Sequence, residues 1–155
     1  MIALLALAAA ATAPMSALDA ERAFASDAQK LGQLTAFRKW SAANAVMFAP
    51  GPVNAQAFLK ARKDPPASLY WWPGRSYLSC RGNYAINTGS WVGGWGKSTG
   101  YFTTVWQRQS DGGWKWLYDA GDALGAVRPE GGDIGQKTAS CEGTPSSLAD
   151  APTAE

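Results

Sequence analysis

Asp119, Tyr101 and Tyr84 are the residues whose types could together do chemistry. Asp119 stands at the end of the run Trp114–Asp119, among aromatic neighbours. Desolvation there would make a carboxylate hold its proton more tightly. Tyr84 and Tyr101 lie on neighbouring runs, and a phenol can donate a hydrogen bond to a developing oxyanion. An acid of this kind with such a donor is the least apparatus that moves a proton beside a carbonyl. Each residue also has a plain structural use: Asp119 and Asp122 can cap a strand end or meet an Arg, and the tyrosines can pack a sheet.

The remaining composition narrows the chemistry. The 155 residues contain no His, which removes the commonest general base, the usual catalytic triads and most zinc sites. Two cysteines far apart hold no metal, so the reading is of a protein without cofactor. Fourteen Lys and Arg against twelve Asp and Glu leave a net charge of +2, and the basic residues are scattered. Nucleic acid is therefore not an expected partner.

Ile2–Ala11 is an unbroken apolar stretch followed by the small-x-small pattern Ala11-Thr12-Ala13. This predicts a signal peptide over residues 1–13 and a periplasmic or secreted mature chain. The stretch falls short of the roughly 20 apolar residues of a spanning helix, so no stable membrane insertion is expected after cleavage. In an oxidising compartment the two cysteines, Cys80 and Cys141, are expected to pair. That bridge closes a loop of about 60 residues and would contribute roughly 4 kcal/mol in the chain-entropy model.

Helical spacing of Leu18, Ala20, Phe24, Ala28 and Leu31 predicts a helix over 17–31, with Asp19 and Glu21 where a helix N-terminus favours anions. A second helix is expected over 33–43, a short strand over 45–49 and a third helix over 55–61 behind the Asn54 cap. From Leu69 to Asp122 the chain is rich in Tyr, Trp, Thr, Val and Phe and reads as four strands: 69–78, 83–92, 100–109 and 114–119. Ser110-Asp111-Gly112-Gly113 marks a tight hairpin between the last two. Residues 126–155 turn to Gly, Pro, Ser and Ala and read as a flexible tail held at most by Cys141.

Of eight Trp, all but Trp40 lie between Trp71 and Trp116. Strict alternation puts Trp114, Trp116 and Tyr118 on one face. Core filling is the default for Trp106, Trp114 and Trp116. Adjacent Trp71 and Trp72 must point to opposite faces, so one of them meets a pocket rim, a partner or solvent. If the sheet encloses a pocket, Trp40, Phe48, Trp72, Trp106 and Trp116 are the side chains expected to line it.

Helices followed by an antiparallel meander is an α+β order. The helix pair, the helix after Pro50-Gly51-Pro52-Val53-Asn54-Ala55, and the hairpin from Tyr101 through Asp111-Gly112 to Trp116 together resemble the nuclear transport factor 2-like superfamily. They are most similar to its small bacterial exported members of unknown function. The resemblance covers roughly residues 17–122 and implies one domain over 17–125, a strongly curved, mainly antiparallel sheet closed by helices around a pocket. It also implies a choice of activities: relatives include ketosteroid isomerases, polyketide cyclases, dehydratases and plain binding proteins. The expectation that follows favours binding of a small apolar ligand, pairing of two copies through the sheet, or both. An isomerase- or cyclase-like enzyme using Asp119 with a Tyr is one alternative. A carbohydrate- or envelope-binding module using exposed Trp is the other.

Overall fold

A computed structural model describes residues 14–127 and 135–143, and the stretch read as a signal peptide lies outside them. Helix α1 spans Ala17–Leu31 and is capped by the Ser16 side chain, which accepts from the Asp19 amide at 3.0 Å. Its buried stripe is Ala17, Ala20, Glu21, Phe24 and Ala28. That 3–4 spacing corrects one expectation: Asp19 serves the helix N-terminus, whereas Glu21 is turned into the core.

Helix α2 is Gln33–Trp40, three residues shorter than its sequence suggests. Strand β1 starts at once, over Ser41–Phe48. Ala42, Ala43 and Ala45 favour helix locally, but the ladder to a partner strand overrides so weak a preference. Strand β2 (Pro52–Asn54) turns back on β1, and Asn54 caps the short α3 (Ala55–Leu59) by accepting from the Ala57 amide.

The meander follows as β3 (Tyr70–Leu78), β4 (Tyr84–Gly93), β5 (Ser98–Arg108) and β6 (Trp114–Leu124). Gln109 and Gly113 close the hairpin between β5 and β6 with an amide-to-carbonyl bond of 2.8 Å. The residues read as a tail contain a further strand, β7 (Gln136–Thr138), which lies parallel to Ser76–Leu78. It forms beside the Cys80–Cys141 disulfide, which is present and holds this segment next to the edge of β3. The sheet order is β2-β1-β6-β5-β4-β3-β7, antiparallel except at β1–β6 and β3–β7.

One face of the sheet carries the core. Along β5, Gly100, Phe102, Thr104 and Trp106 are buried, and the residues between them lie on the outer face. Phe24 of α1 meets Phe37, Trp71 and Trp106 edge to face at 4.9, 4.9 and 6.0 Å. Trp106 and Trp116 are fully buried, and truncating such a side chain costs about 3–5 kcal/mol. Glycines let the sheet bend around this cluster. Phe102 is flanked across the ladders by Gly89 and Gly121, whose Cβ atoms would lie 2.0 Å from the Trp72 carbonyl oxygen and 2.1 Å from that of Tyr101.

Candidate functional site

Asp119 reaches the inner face because of a bulge. Trp116 pairs with Trp106, but the next pair is Tyr118 with Val105, leaving Leu117 extra. Beyond this point the alternation is reversed. Asp119 now lies opposite the buried Thr104, and Gly121 opposite Phe102. Tyr118, expected beside Trp114 and Trp116, is on the outer side instead, with its ring 5.8 Å from Phe48. A one-residue insertion thus exchanges a tyrosine for a carboxylate on the inner wall.

That wall borders a cavity of about 190 Å³, lined by Phe37, Leu69, Trp71, Trp91, Phe102 and Asp119 with the backbone around Gly121. Among the described residues Asp119 is its one ionisable side chain. The Thr104 hydroxyl donates to Asp119 Oδ2 at 2.8 Å. Burial, then the negative charge of Glu21, push the Asp119 carboxyl up to about 7, against the pull of the Thr104 bond.

Glu21 sits behind the cavity wall and is wholly buried. Its Oε1 accepts from the Trp71 indole at 3.0 Å, and its Oε2 from the Trp106 indole at 2.7 Å and from Asn87 Nδ2 at 3.3 Å. Thr104 is also a hydrogen-bonding neighbour of Glu21, so one hydroxyl stands between two carboxyl groups. Burial raises the Glu21 carboxyl, and the hydrogen bonds from Trp106, Trp71 and Asn87 work against that rise. Sequence reasoning missed this residue as part of the site. The available signal was its place on the Ala17–Ala20–Phe24–Ala28 stripe, where an acid interrupts an apolar seam.

The other sequence-selected residues lie elsewhere. Tyr84 is exposed on the outer face, where its hydroxyl accepts from Gln107 Nε2 at 3.0 Å. Tyr101, half-buried, alternates with Phe102 and also belongs to the outer side. The structure therefore does not bring either phenol to Asp119. None of the five expected lining residues borders the cavity. Trp106 and Trp116 fill the core. Trp40 packs on Trp106 at 5.8 Å and donates to Asp27 at 2.7 Å. Phe48 is exposed, and Trp72 shares the outer side of β3 with Tyr70. Trp71, the inward member of its pair, is the one that meets the cavity.

Two wider grooves, of about 710 and 420 Å³, run over the surface beside α1. The larger is lined by the outer face of α1 and by Tyr70, Trp71, Trp72 and Pro73 of β3, the smaller by α1 and loop residues, and among the described residues the ionisable groups of both are solvated. The inner cavity is thus the better site despite its smaller size. Among the described residues no group of three or more His, Cys, Asp or Glu could hold a metal ion, and no helix is long and apolar enough to cross a membrane.

No family model matches the sequence. No curated protein matches it either. Thirteen chains of solved structures do. A candidate ketosteroid isomerase from Parabacteroides distasonis superposes with a TM-score of 0.56 at 17% identity, over 71% of this chain and 89% of that one. A nuclear transport factor 2-like superfamily protein from Salmonella enterica serovar Typhimurium gives a TM-score of 0.49 at 14% identity, over 76% and 93%. A cystatin-like fold protein from Burkholderia xenovorans gives 0.45 at 15%, over 70% and 84%. At these identities the likeness is one of fold, and it agrees with the helices laid on one face of a curved mixed sheet: the chain has the nuclear transport factor 2-like fold.

Proposed function

We propose that this is an exported binding protein that holds one small, mostly apolar molecule in the inner cavity. The observation that carries the reading is the lining: four aromatic rings and Leu69 around a single carboxyl group. Sites for small molecules have this make-up, an apolar wall with one or two polar groups that fix orientation. Size restricts the ligand. A cavity of roughly 150 Å³ takes up benzene, so 190 Å³ suits one ring or a short branched chain. Export is supported by the disulfide, a bond that persists in oxidising compartments.

A second reading, proton transfer by Asp119, is favoured by one observation. A carboxyl with a pKa near 7 can take and return a proton at neutral pH. The donor such a reaction needs is not supplied by Tyr84 or Tyr101, which lie across the sheet. Binding is therefore the better supported function.

Ligand-observed NMR with a set of single-ring and branched short-chain compounds tests the proposal. Binders are expected, and Trp91→Ala, which removes one wall, should weaken them about tenfold. Ile86→Ala on the outer face should leave affinity unchanged. Equal loss in both variants, or no binder at all, would refute the reading. Any turnover of a bound carbonyl compound that stops in Asp119→Asn would instead establish the catalytic one.

A further inference from the structure

Among the described residues, the cavity and its backing hold two carboxyl groups and no positive charge. Glu21 faces Asp119 from α1, and Thr104 lies between them from β5. The groups presented from α2, β3 and β4 are Phe37, Trp71 and Trp91, all uncharged, and the β1 residue paired with Asp119 is Met47. The nearby basic side chains are engaged elsewhere. Arg22 pairs with Asp19, Lys39 with Asp27, and Arg38 donates to the carbonyls of Leu59 and Arg62 and to Thr35.

A carboxylate removed from water is relieved either by a paired cation or by taking up a proton, because leaving it charged and unpaired costs several kcal/mol. The indoles of Trp71 and Trp106, the Asn87 amide and the Thr104 hydroxyl satisfy oxygen atoms here, but they bring no net charge. The missing charge has a place to sit. Beside Asp119 the cavity is walled by the rings of Phe37, Trp71, Trp91 and Phe102. Aromatic faces carry negative potential and attract an ammonium group, most strongly where water is excluded. An anion would be repelled by the carboxyl pair, and a purely neutral ligand would leave that pair as it is.

From this geometry we infer that the ligand of the cavity is a small organic ammonium ion, its cationic head against Asp119 within the aromatic rings and the Glu21 carboxyl behind it. The inference rests on the binding reading and names the class of ligand. Glu21 is a positioning residue in this arrangement: it touches no ligand, but it holds Trp71 in the wall, and its proximity raises the Asp119 carboxyl. Without a cation the carboxyl pair relieves its repulsion by keeping a proton on Asp119 near neutrality. The cation and that proton compete for one place.

Calorimetric titration of the intact protein with choline and with 3,3-dimethylbutanol, its uncharged counterpart of nearly the same shape, tests the inference. At pH 8 choline should bind at least ten times more tightly than the alcohol. At pH 6 its affinity should be about tenfold lower, since Asp119 is then mostly protonated, while the alcohol's affinity is unchanged. Asp119→Asn should bring the two ligands to parity. Glu21→Gln should narrow the gap and flatten the pH dependence. Should that core variant fail to fold, Asp119→Asn at the cavity edge decides the matter alone. Equal binding of the two probes, or tighter binding of the alcohol, overturns the ammonium assignment and leaves the binding reading intact. Failure of both probes overturns the ammonium assignment, and the binding reading falls with it only if the single-ring and branched short-chain compounds also fail to bind.

Discussion

Asp119 holds a proton in the folded protein that the unfolded chain gives up at a much lower pH. Its carboxyl is raised from 3.8 to about 7 by burial and by Glu21. The folded state therefore binds more protons than the unfolded state across that interval, and stability must fall as pH rises through it. A rise of that size corresponds to roughly 4 kcal/mol at full conversion. Above pH about 7 neither state holds the proton and the loss is complete. Asp19, Asp27 and Asp64 act in the opposite sense. Hydrogen bonds from Ser16, Lys39 and Thr35 lower their pKa, so their contribution is present above the unfolded value and fades in acid. Urea unfolding from pH 3 to 9 should show a maximum near pH 4–5 and a decline toward pH 8. Asp119→Asn should reduce the decline, leaving the part that comes from Glu21, whose carboxyl burial also raises, and be the more stable protein at pH 8. Parallel curves for the two proteins would rule this out. A stabilising substitution that removes the ligand's counter-charge is what a site held at the expense of stability predicts.

At the scale of elements, the cavity depends on a strand that is bent and bulged where its residues have little side chain. Gly121 lies opposite Phe102, and a methyl there would sit 2.1 Å from the Tyr101 carbonyl oxygen. The contact is with backbone, so β5 and β6 would have to separate. Gly121→Ala is expected to cost about 2–3 kcal/mol in urea unfolding and to weaken cavity ligands in proportion. A neutral effect on both would show that the curvature is set elsewhere. This element also shows what could be read in advance. The strands of the meander, the hairpin at Asp111-Gly112 and the helix over 17–31 follow from propensity and period, which are local. Asp119 could be singled out because a carboxylate at the end of an aromatic strand is unusual. The bulge at Leu117 leaves no local mark, so alternation assigned the inner face to Tyr118 rather than Asp119. The Tyr84 and Tyr101 assignments failed to reach Asp119 for a related reason. Neighbouring strands do not say which face a phenol takes until the register is known. Glu21 was read by its distance from a helix end, whereas its burial is decided by Trp71 and Trp106, 50 and 85 residues away.

Across the whole molecule, the disulfide and the cavity occupy different parts of the sheet. The Cys80–Cys141 bridge has a sequence separation of 61 and brings β7 to the far half of β3, where Ala139 donates to the Leu78 carbonyl and Gln136 to the Ser76 hydroxyl. The cavity draws on Trp71 at the opposite end of β3 and on β4, β5 and β6. Strand β7 is three residues long and pairs on one side only, so without the covalent link it has too little area to stay docked. Replacing both cysteines by Ser should lower global stability by about 4 kcal/mol, the loop-entropy value for a closure of this length. It should also free the amides of β7 for hydrogen exchange. The four-stranded core keeps its ladders, so protection around Phe102 and Thr104 should drop only by the global amount, and affinity of cavity ligands should stay within twofold of the parent. Loss of binding in the double Ser variant would mean that β7 supports the site through β3. Unchanged stability would mean that the unfolded chain is already compact enough for the bridge to constrain little.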